Sequence, residues 1–473
     1  MSASIRGIVS CVNHIDGEYT IFSDKPINIK SNIVLELYDI VSFDGSAVIE
    51  SGLYTPDIVT IEGKSSKQEL VEHISSYVHA TTESLGFSKN KKDMLTKLQP
   101  IIKTEAIPKI FNAIEICVAE FVKSFFSGSP IIIRFHNDGD GVSGGLAVYS
   151  AVMKLQEIFV NKNIFWEMQR TIAYDLDSYI NDNLIFRNYD GVENPLLIII
   201  DFASSDSSLP QINDIAKKYK LIWLDHHIYD NKALLDSVRY YINSWNFGGD
   251  SNITAGLIAC IFSSFITNVN IDLLMNASLV SDHSIYAPDS AVAVEASTVL
   301  DFITGTRAYS SMGIGEIYRL VNDSAKMHEM YSHAENILNE QIEMGLSNLK
   351  IHSNGGIRIC TLDFDKIKED GKDYILPGRY SSKLQDVISS KYGNAVTIVY
   401  YNRFISVRIS KAISERIDLI NMFNGIKNSF SDVESCGGHT EAASIKMKTS
   451  DKEPLMAVLR ELIKQIQNKI MQT

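Results

Sequence analysis

Between residues 1 and 65 the apolar positions come in short β-branched runs: Ile5 to Val12, Tyr19 to Phe22 and Ile33 to Leu37, then Val41, Phe43 and Val48, and last Ile58, Val59 and Ile61 before Gly63. Runs of that length, broken by turn residues, predict strands. From Ser66 the spacing changes to four, with Leu70, Ile74 and Val78, and later Ile110, Ile114 and Val118 continued by Phe121 and Phe125. That period predicts helices, and Ser127, Gly128, Ser129 and Pro130 end the last of them. Three continuous apolar runs follow, Ile131–Ile133, Leu196–Ile200 and Leu221–Leu224, with helical stretches between them such as Leu146 to Phe159. Continuous β-branched runs alternating with helices predict a parallel sheet covered on both faces. A long polar helix is expected over Ile314 to Leu349. Beyond it come strand-like runs at Val396–Val399 and Phe404–Ile409, a Gly-rich turn at Gly437 and Gly438, and a terminal amphipathic helix.

These patterns divide the chain into a small β-rich domain (1–65), a helical connector (66–129), a main α/β domain (130–313), a linker helix (314–354) and a C-terminal α/β domain (355–473). The first has the size and rhythm of an OB-type barrel, a fold that often holds single strands; a structural or docking barrel fits it as well. The overall charge of −13 argues against a protein coated in a basic nucleic-acid footprint but leaves room for a local groove. Cys11, Cys117, Cys260, Cys360 and Cys436 are odd in number and widely spaced, which excludes a disulfide framework and points to a reducing compartment, the cytoplasm. The first residues lack a secretory pattern. No segment reaches 18 consecutive apolar residues, so no membrane span is expected.

Each of the three apolar runs ends in an acidic or histidine-rich loop. After the first comes Phe135-His136-Asn137-Asp138-Gly139-Asp140-Gly141-Val142-Ser143-Gly144-Gly145. His136, Asp138 and Asp140 place one imidazole and two carboxylates within five residues. The glycines allow a tight turn, and Ser143 suits the start of a helix whose N-terminus favours anions. Asp201 follows the second run, Asp225-His226-His227 the third, and Asp282-His283 follows Ala277–Ser281. A lone member of such a set is more often a cap or a satisfied polar group. Four sets at the ends of apolar runs point to one site, because ligands of open α/β sheets bind beyond the carboxyl ends of the strands. Carboxylates and imidazoles suit Mn²⁺, Mg²⁺ or Zn²⁺, and two such ions about 4 Å apart can clamp a phosphate and activate water.

The His-x-Asp-x-Asp-Gly motif, the strand-end Asp201, the Asp225-His226-His227 triplet and Asp282 resemble the DHH phosphoesterase family. Cys436-Gly437-Gly438-His439-Thr440-Glu441-Ala442-Ala443-Ser444 resembles the glycine-histidine signature of the DHH-associated C-terminal domain, with Cys436 and Ser444 in place of its first and last glycines, and Ser406 to Ser410 resembles that domain's arginine segment. The match spans about residues 130 to 450. With the extra N-terminal domain and the block Asn252 to Gly256, the chain looks most like the archaeal RecJ-like single-strand nucleases. His136 stands where bacterial RecJ enzymes usually carry Asp.

The resemblance implies a parallel-sheet catalytic domain and a C-terminal substrate-binding domain. One metal would bind His136 and Asp138, the other Asp140, His226 and Asp282, with Asp201 bridging. Asp225 would hold the site by hydrogen bonds and His227 would face the phosphate. Arg408, Gly437, Gly438 and His439 would grip the strand. Two divalent ions are implied, Mn²⁺ first and Mg²⁺ as the alternative. The partners implied are single-stranded DNA or RNA, and replication proteins such as GINS; no membrane is implied. The reading is a metal-dependent exonuclease of replication or repair. Its alternatives are a phosphodiesterase for short oligonucleotides or cyclic dinucleotides, and a RecJ-like replication scaffold with little activity.

Overall fold

The computed structural model describes residues 4–44, 48–50, 53–229, 238–309, 311–354, 356–367, 375, 377–438 and 441–472. They form two compact units: Met1–Asp301 with Met312–Met327, and Phe302–Ser311 with His328–Thr473.

The first unit opens with β1 (Ser4–Asn13), β2 (Glu18–Phe22), β3 (Pro26–Lys30), β4 (Asp39–Asp44), β5 (Val48–Glu50), β6 (Leu53–Thr55) and β7 (Val59–Lys64). They lie in the order β5-β6-β3-β2-β1-β4-β7. Val9, Ile21, Ile29, Val41 and Phe43 form the core. The expected strand at Ile33–Leu37 is irregular chain, with Val34 and Ile33 exposed. The strand is Pro26–Lys30 instead, paired antiparallel with β2 from Glu18↔Lys30 to Phe22↔Pro26. Proline is tolerated there because it is the strand's first residue and needs no ladder donor.

This sheet does not stand alone. β1 pairs with β4 along Ser4–Ile8, and further along it pairs with a strand of the main domain, β10 (Tyr189–Gly191), at Cys11–Asn13. Ser10 donates to the Ser127 carbonyl, and Asn28 to that of Val160.

Three helices follow, α1 (Lys67–Ser84), α2 (Phe87–Leu98) and α3 (Ala106–Phe126). The four-residue rows from the sequence are their inward faces: Leu70 and Ile74 on α1, and Ile110, Ile114, Val118, Phe121 and Phe125 on α3, are buried.

The main domain runs β8 (Ile131–His136), α4 (Gly139–Gln156), β9 (Ile164–Gln169), α5 (Leu176–Phe186), β10, β11 (Leu196–Ile200), α6 (Leu209–Lys218), β12 (Lys220–Asp225) and β13 (Tyr240–Asn243). Its five-stranded sheet has the order β13-β12-β11-β8-β9, and every pairing is parallel. Every residue of β11 is buried, as expected for a strand covered on both faces. α7 (Ala255–Ser264) and α8 (Ile271–Ser281) pack on α4. α9 (Ala291–Gly305) follows. The expected helix over 314–349 is divided in two, α10 (Ile314–Val321) and α11 (Ser324–Asn348), at Asn322 and Asp323.

The second unit carries β14 (Lys350–Asn354), β15 (Ile357–Asp363), α12 (Pro377–Tyr392), β16 (Ala395–Tyr401), β17 (Phe404–Ile409), α13 (Lys411–Ser414), α14 (Leu419–Ser429), β18 (Val433–Gly438), β19 (Ala442–Met447) and α15 (Lys452–Gln472). The sheet order is β14-β15-β16-β17-β19-β18, with one parallel pair, β15 and β16. The cysteines are unpaired, four buried and Cys436 half-buried. Among the described residues no helix is long and apolar enough to cross a membrane.

Candidate metal centre

Register places the first three side chains of the site. Ile200 of β11 lies opposite both Phe135 of β8 and Leu224 of β12. The next residue of each strand is His136, Asp201 or Asp225, so one row across the sheet's carboxyl edge presents all three. Asp201 sits at φ 68°, a left-handed conformation that Asp and Asn accept more readily than other non-glycine residues. It turns the chain sharply just where the carboxylate must face the neighbouring strand ends.

The loop after β8 supplies two more groups. Asp138 caps α4, accepting from the Gly141 N–H at 3.0 Å, and its other oxygen lies 2.6 Å from His136 Nδ1. Asp140, in the first turn of α4, is fully buried. It accepts from the Ala255 and Gly256 N–H groups at 3.0 and 2.9 Å, so its charge lies at the N-terminus of α7, where the helix dipole favours an anion. Gly256 is required by the closeness of this approach: a Cβ there would lie 2.7 Å from the Asp140 carbonyl, from its Oδ1 and from Ser278 Oγ. At Gly141 a Cβ would meet the His136 carbonyl at 2.6 Å.

The fourth set arrives from a helix. Ala277–Ser281 is the last turn of α8, and Asp282 is its C-cap. An apolar run at a helix end delivers a carboxylate here as strand ends do elsewhere.

His226 Nδ1 lies 2.8 Å from the Ser251 carbonyl, which can only accept, so Nδ1 carries a proton. Its Nε2 faces Asp282, Asp201 and Asp140 at 3.1, 3.4 and 3.8 Å. A hydrogen bond from the far ring nitrogen is how ligating histidines are commonly oriented. Asp225 is fully buried and spends its carboxylate on orientation. It accepts from the backbone N–H groups of His226 and His227, from His227 Nδ1 at 2.8 Å and from Ser204. His227 is about half exposed, anchored through one nitrogen.

Three sets of side chains bring ligand atoms within 4.8 Å of one another: His136, Asp138 and Asp201; Asp140, His226 and Asp282; and Asp201, His226 and His227. Asp201 belongs to two of them. Its Oδ1 is buried and accepts no hydrogen bond from the described residues, although His226 Nε2 is within ion-pair distance. A buried carboxylate oxygen left in that state is costly, and a cation would satisfy it. The donor set of carboxylates and imidazoles, with no thiolate, suits hard or intermediate divalent ions.

The electrostatics agree. Burial, then the charges of Asp201 and Asp282, push the Asp140 carboxyl well above the usual range. Burial, reinforced by Asp201 and Asp138 and offset by His226, pushes Asp282 up to about 7. Asp201 moves the other way: burial opposes it, but the neighbouring His136 and His226 imidazoles hold it far below normal. Against burial, Asp282 and Asp201 raise His226, and Asp138 and Asp201 raise His136. Carboxylates crowded this closely are relieved by bound cations. The His and Asp cluster is thus suited to a metal-dependent hydrolase.

The other sequence candidates lie elsewhere. Ser143 is fully buried in α4 and donates its hydroxyl to the Gly139 carbonyl at 2.6 Å, which leaves no free donor for a ligand. Arg408 lies on β17 of the second unit. Among the described residues it donates to neutral acceptors: Ser382 and Ser406 hydroxyls and the Val407 and Gly378 carbonyls. Burial lowers it to about 10. Gly437 and Gly438 end β18, paired with Ser444 and Ala443 of β19. His439 lies outside the described residues. Groups that the sequence reading missed include the Ser251 carbonyl, the Ala255 amide, Ser204 and Trp245. Most act through backbone atoms or short hydroxyls, which leave no sequence signal.

No protein-family profile matches the chain. It is 24% identical over 429 residues to an uncharacterized protein of Methanocaldococcus jannaschii, covering 78% of this chain and 56% of the relative. The chain therefore spans about half the length of that curated relative. Its fold is similar to a solved DHH domain described as a member of the s1p family of ribosomal proteins. The TM-score is 0.66 at 21% identity, with 82% of this chain and 99% of that chain covered. RecJ from Thermus thermophilus in complex with Mn²⁺ aligns with a TM-score of 0.49 at 11% identity, covering 76% of this chain and 55% of that one. The chain's fold is thus similar to that of a DHH domain.

Proposed function

We propose that the protein is a two-metal phosphodiesterase acting as an exonuclease on single-stranded DNA or RNA, in replication or repair. The observation that carries this reading is Asp201, which clusters with His136 and Asp138 and also with His226 and His227, and whose buried Oδ1 accepts no hydrogen bond from the described residues. His136 and Asp138 would hold one divalent ion; Asp140, His226 and Asp282 would hold the other; and Asp201 would serve both. Mn²⁺ is the first candidate and Mg²⁺ the second. Ions so held polarise a phosphoryl oxygen and make a bound water acidic enough to attack near neutral pH.

The chain's own groups divide the remaining work. Asp225 fixes both histidines of its triplet by accepting from their N–H groups. His227 is the exposed member and is placed to donate to a phosphate oxygen. In the second unit, the acceptors that Arg408 meets among the described residues are neutral, which suits a backbone phosphate. Gly437 and Gly438 would allow the strand close approach. The N-terminal sheet is a candidate holding surface for single strands, in the manner of an OB barrel.

Comparing Mn²⁺-dependent cleavage of a long single strand with that of a dinucleotide tests the reading. Release of mononucleotides from the long strand is expected. Cleavage confined to the dinucleotide favours a short-oligonucleotide enzyme, and absence of cleavage of either removes the proposal.

A further inference from the structure

The rim of the metal centre carries exposed apolar side chains on the loops that hold the ligands. Trp245 is 42% exposed, Ile228 70% and Ile285 73%. Large apolar groups scattered singly over a surface need no explanation, but these three lie on loops that hydrogen bonds tie to the site residues. Trp245 lies in a 3₁₀ turn, Ser244–Phe247, directly after β13. Its indole N–H donates to the His226 carbonyl at 3.0 Å, and its backbone N–H to Asn243 Oδ1 at 3.1 Å. Asn243 in turn donates to the His227 carbonyl. Ile228 follows His227 directly. The Ile285 N–H donates to Asn252 Oδ1, one residue beyond the Ser251 carbonyl that orients His226.

The indole is therefore fixed at its one polar atom, and what it leaves to solvent is ring carbon. A large aromatic surface held rigidly beside a metal ligand has little to gain from inorganic phosphate, which offers no apolar face. A nucleobase offers a π-face of matching size. Trp245 has no role in holding the ligand carboxylates, so its exposure needs a different partner.

We infer that Trp245 stacks a nucleobase of the bound strand beside the metal centre, so that the site selects base-bearing phosphodiesters over inorganic polyphosphates. The inference rests on the proposed phosphodiesterase reading and adds the recognition of a base to it. Phenylalanine should substitute in part, because it keeps a π-face but not the hydrogen bond to His226; alanine should not.

Two measurements separate the inference from the reaction. In the first, a single strand with ordinary ends is compared with one carrying abasic residues at both ends, for the wild type and for Trp245→Ala. Removal of the base and removal of the indole each raise KM about tenfold or more, in line with base–aromatic stacking. Together they are expected to cost little more than one alone. Fully multiplicative losses overturn the inference. In the second, the intact protein with Mg²⁺ is titrated with adenosine 5′-monophosphate and with deoxyribose 5-phosphate while its fluorescence is followed. Quenching by the nucleotide alone, abolished in Trp245→Phe, is expected. Quenching that persists in Trp245→Phe, or is absent in the wild type, overturns the inference. Trp245-dependent quenching in a protein that cleaves no strand leaves the stacking site standing and removes the exonuclease reading instead.

Discussion

Replacing Asp201 by asparagine removes one charge from the centre and changes little else in shape. The backbone there is at φ 68°, a conformation asparagine accepts as readily as aspartate. Asp201 clusters with His136 and Asp138, and its Oδ1 lies 3.4 Å from His226 Nε2, so on the bridging proposal both ions lose an anionic donor. Loss of a mere outer partner typically lowers metal affinity 10- to 100-fold. Taking that as a floor for each ion gives about 10²–10⁴ for the pair, or about 3–6 kcal/mol at roughly 1.4 kcal/mol per tenfold.

The assay is the stabilisation conferred by Mn²⁺, followed by thermal unfolding alongside metal analysis. A wild-type protein at a metal concentration a hundred times Kd gains about 2.7 kcal/mol per ion; the variant, weakened 10- to 100-fold at each site, is expected to gain about 0.4–1.4 kcal/mol per ion. Each protein is referred to its own metal-free state at one neutral pH. The folded-state pKa of Asp201 is depressed. Its contribution is therefore present above the unfolded value of about 3.9 and lost as pH falls through the folded one. Two ions per chain in Asp201→Asn, with a wild-type metal increment, would refute the bridging role.

Metal affinity is expected to fall as pH falls through about 7, because the Asp282 carboxyl, pushed up to about that value, must lose its proton to bind; calorimetry in buffers of different ionisation enthalpy would show proton release. Arg408→Ala is expected to raise KM for oligonucleotides about tenfold with metal content unchanged, and Arg408→Lys to recover only part of it, read by steady-state kinetics with metal analysis. Gly256→Ala places a Cβ 2.7 Å from Asp140 and Ser278; a loss of about 1–3 kcal/mol with weaker Mn²⁺ binding is expected from thermal unfolding and metal titration. Deleting residues 1–65 strips β1 from β10 and uncovers Leu70, Ile74 and Val192, which pack on Ile8 and Phe22; the product is expected to aggregate, as solubility and size-exclusion chromatography would show.

The strands that build the centre are legible because burial on both faces leaves continuous apolar runs, as in Leu196–Ile200. β9 is not, because its residues are mostly half-buried and include Glu167 and Gln169. β3 is hidden by Pro26, which reads as a breaker until its place at the head of the strand is seen. The site residues are legible for a related reason: a charged residue at the end of an apolar strand needs a purpose, and His136, Asp201 and Asp225 each stand at one. Asp282 can be picked out by its apolar approach, but not the helix that delivers it. The orientation of the centre is not legible. The Ser251 carbonyl and the Ala255 and Gly256 N–H groups act through the backbone, which every residue possesses. Ser143 is overread, since a serine near a helix start can equally well bond back to its own helix, as it does to Gly139.

The most direct test of the central claim is a Mn²⁺-dependent time course on 5′- and 3′-labelled single strands of DNA and RNA, with the matching duplex and inorganic pyrophosphate as controls. Stepwise release of mononucleotides from a single strand, abolished by chelator and sparing duplex and pyrophosphate, is the result expected. Hydrolysis of pyrophosphate with all strands left intact, in protein shown to hold two ions, would contradict it.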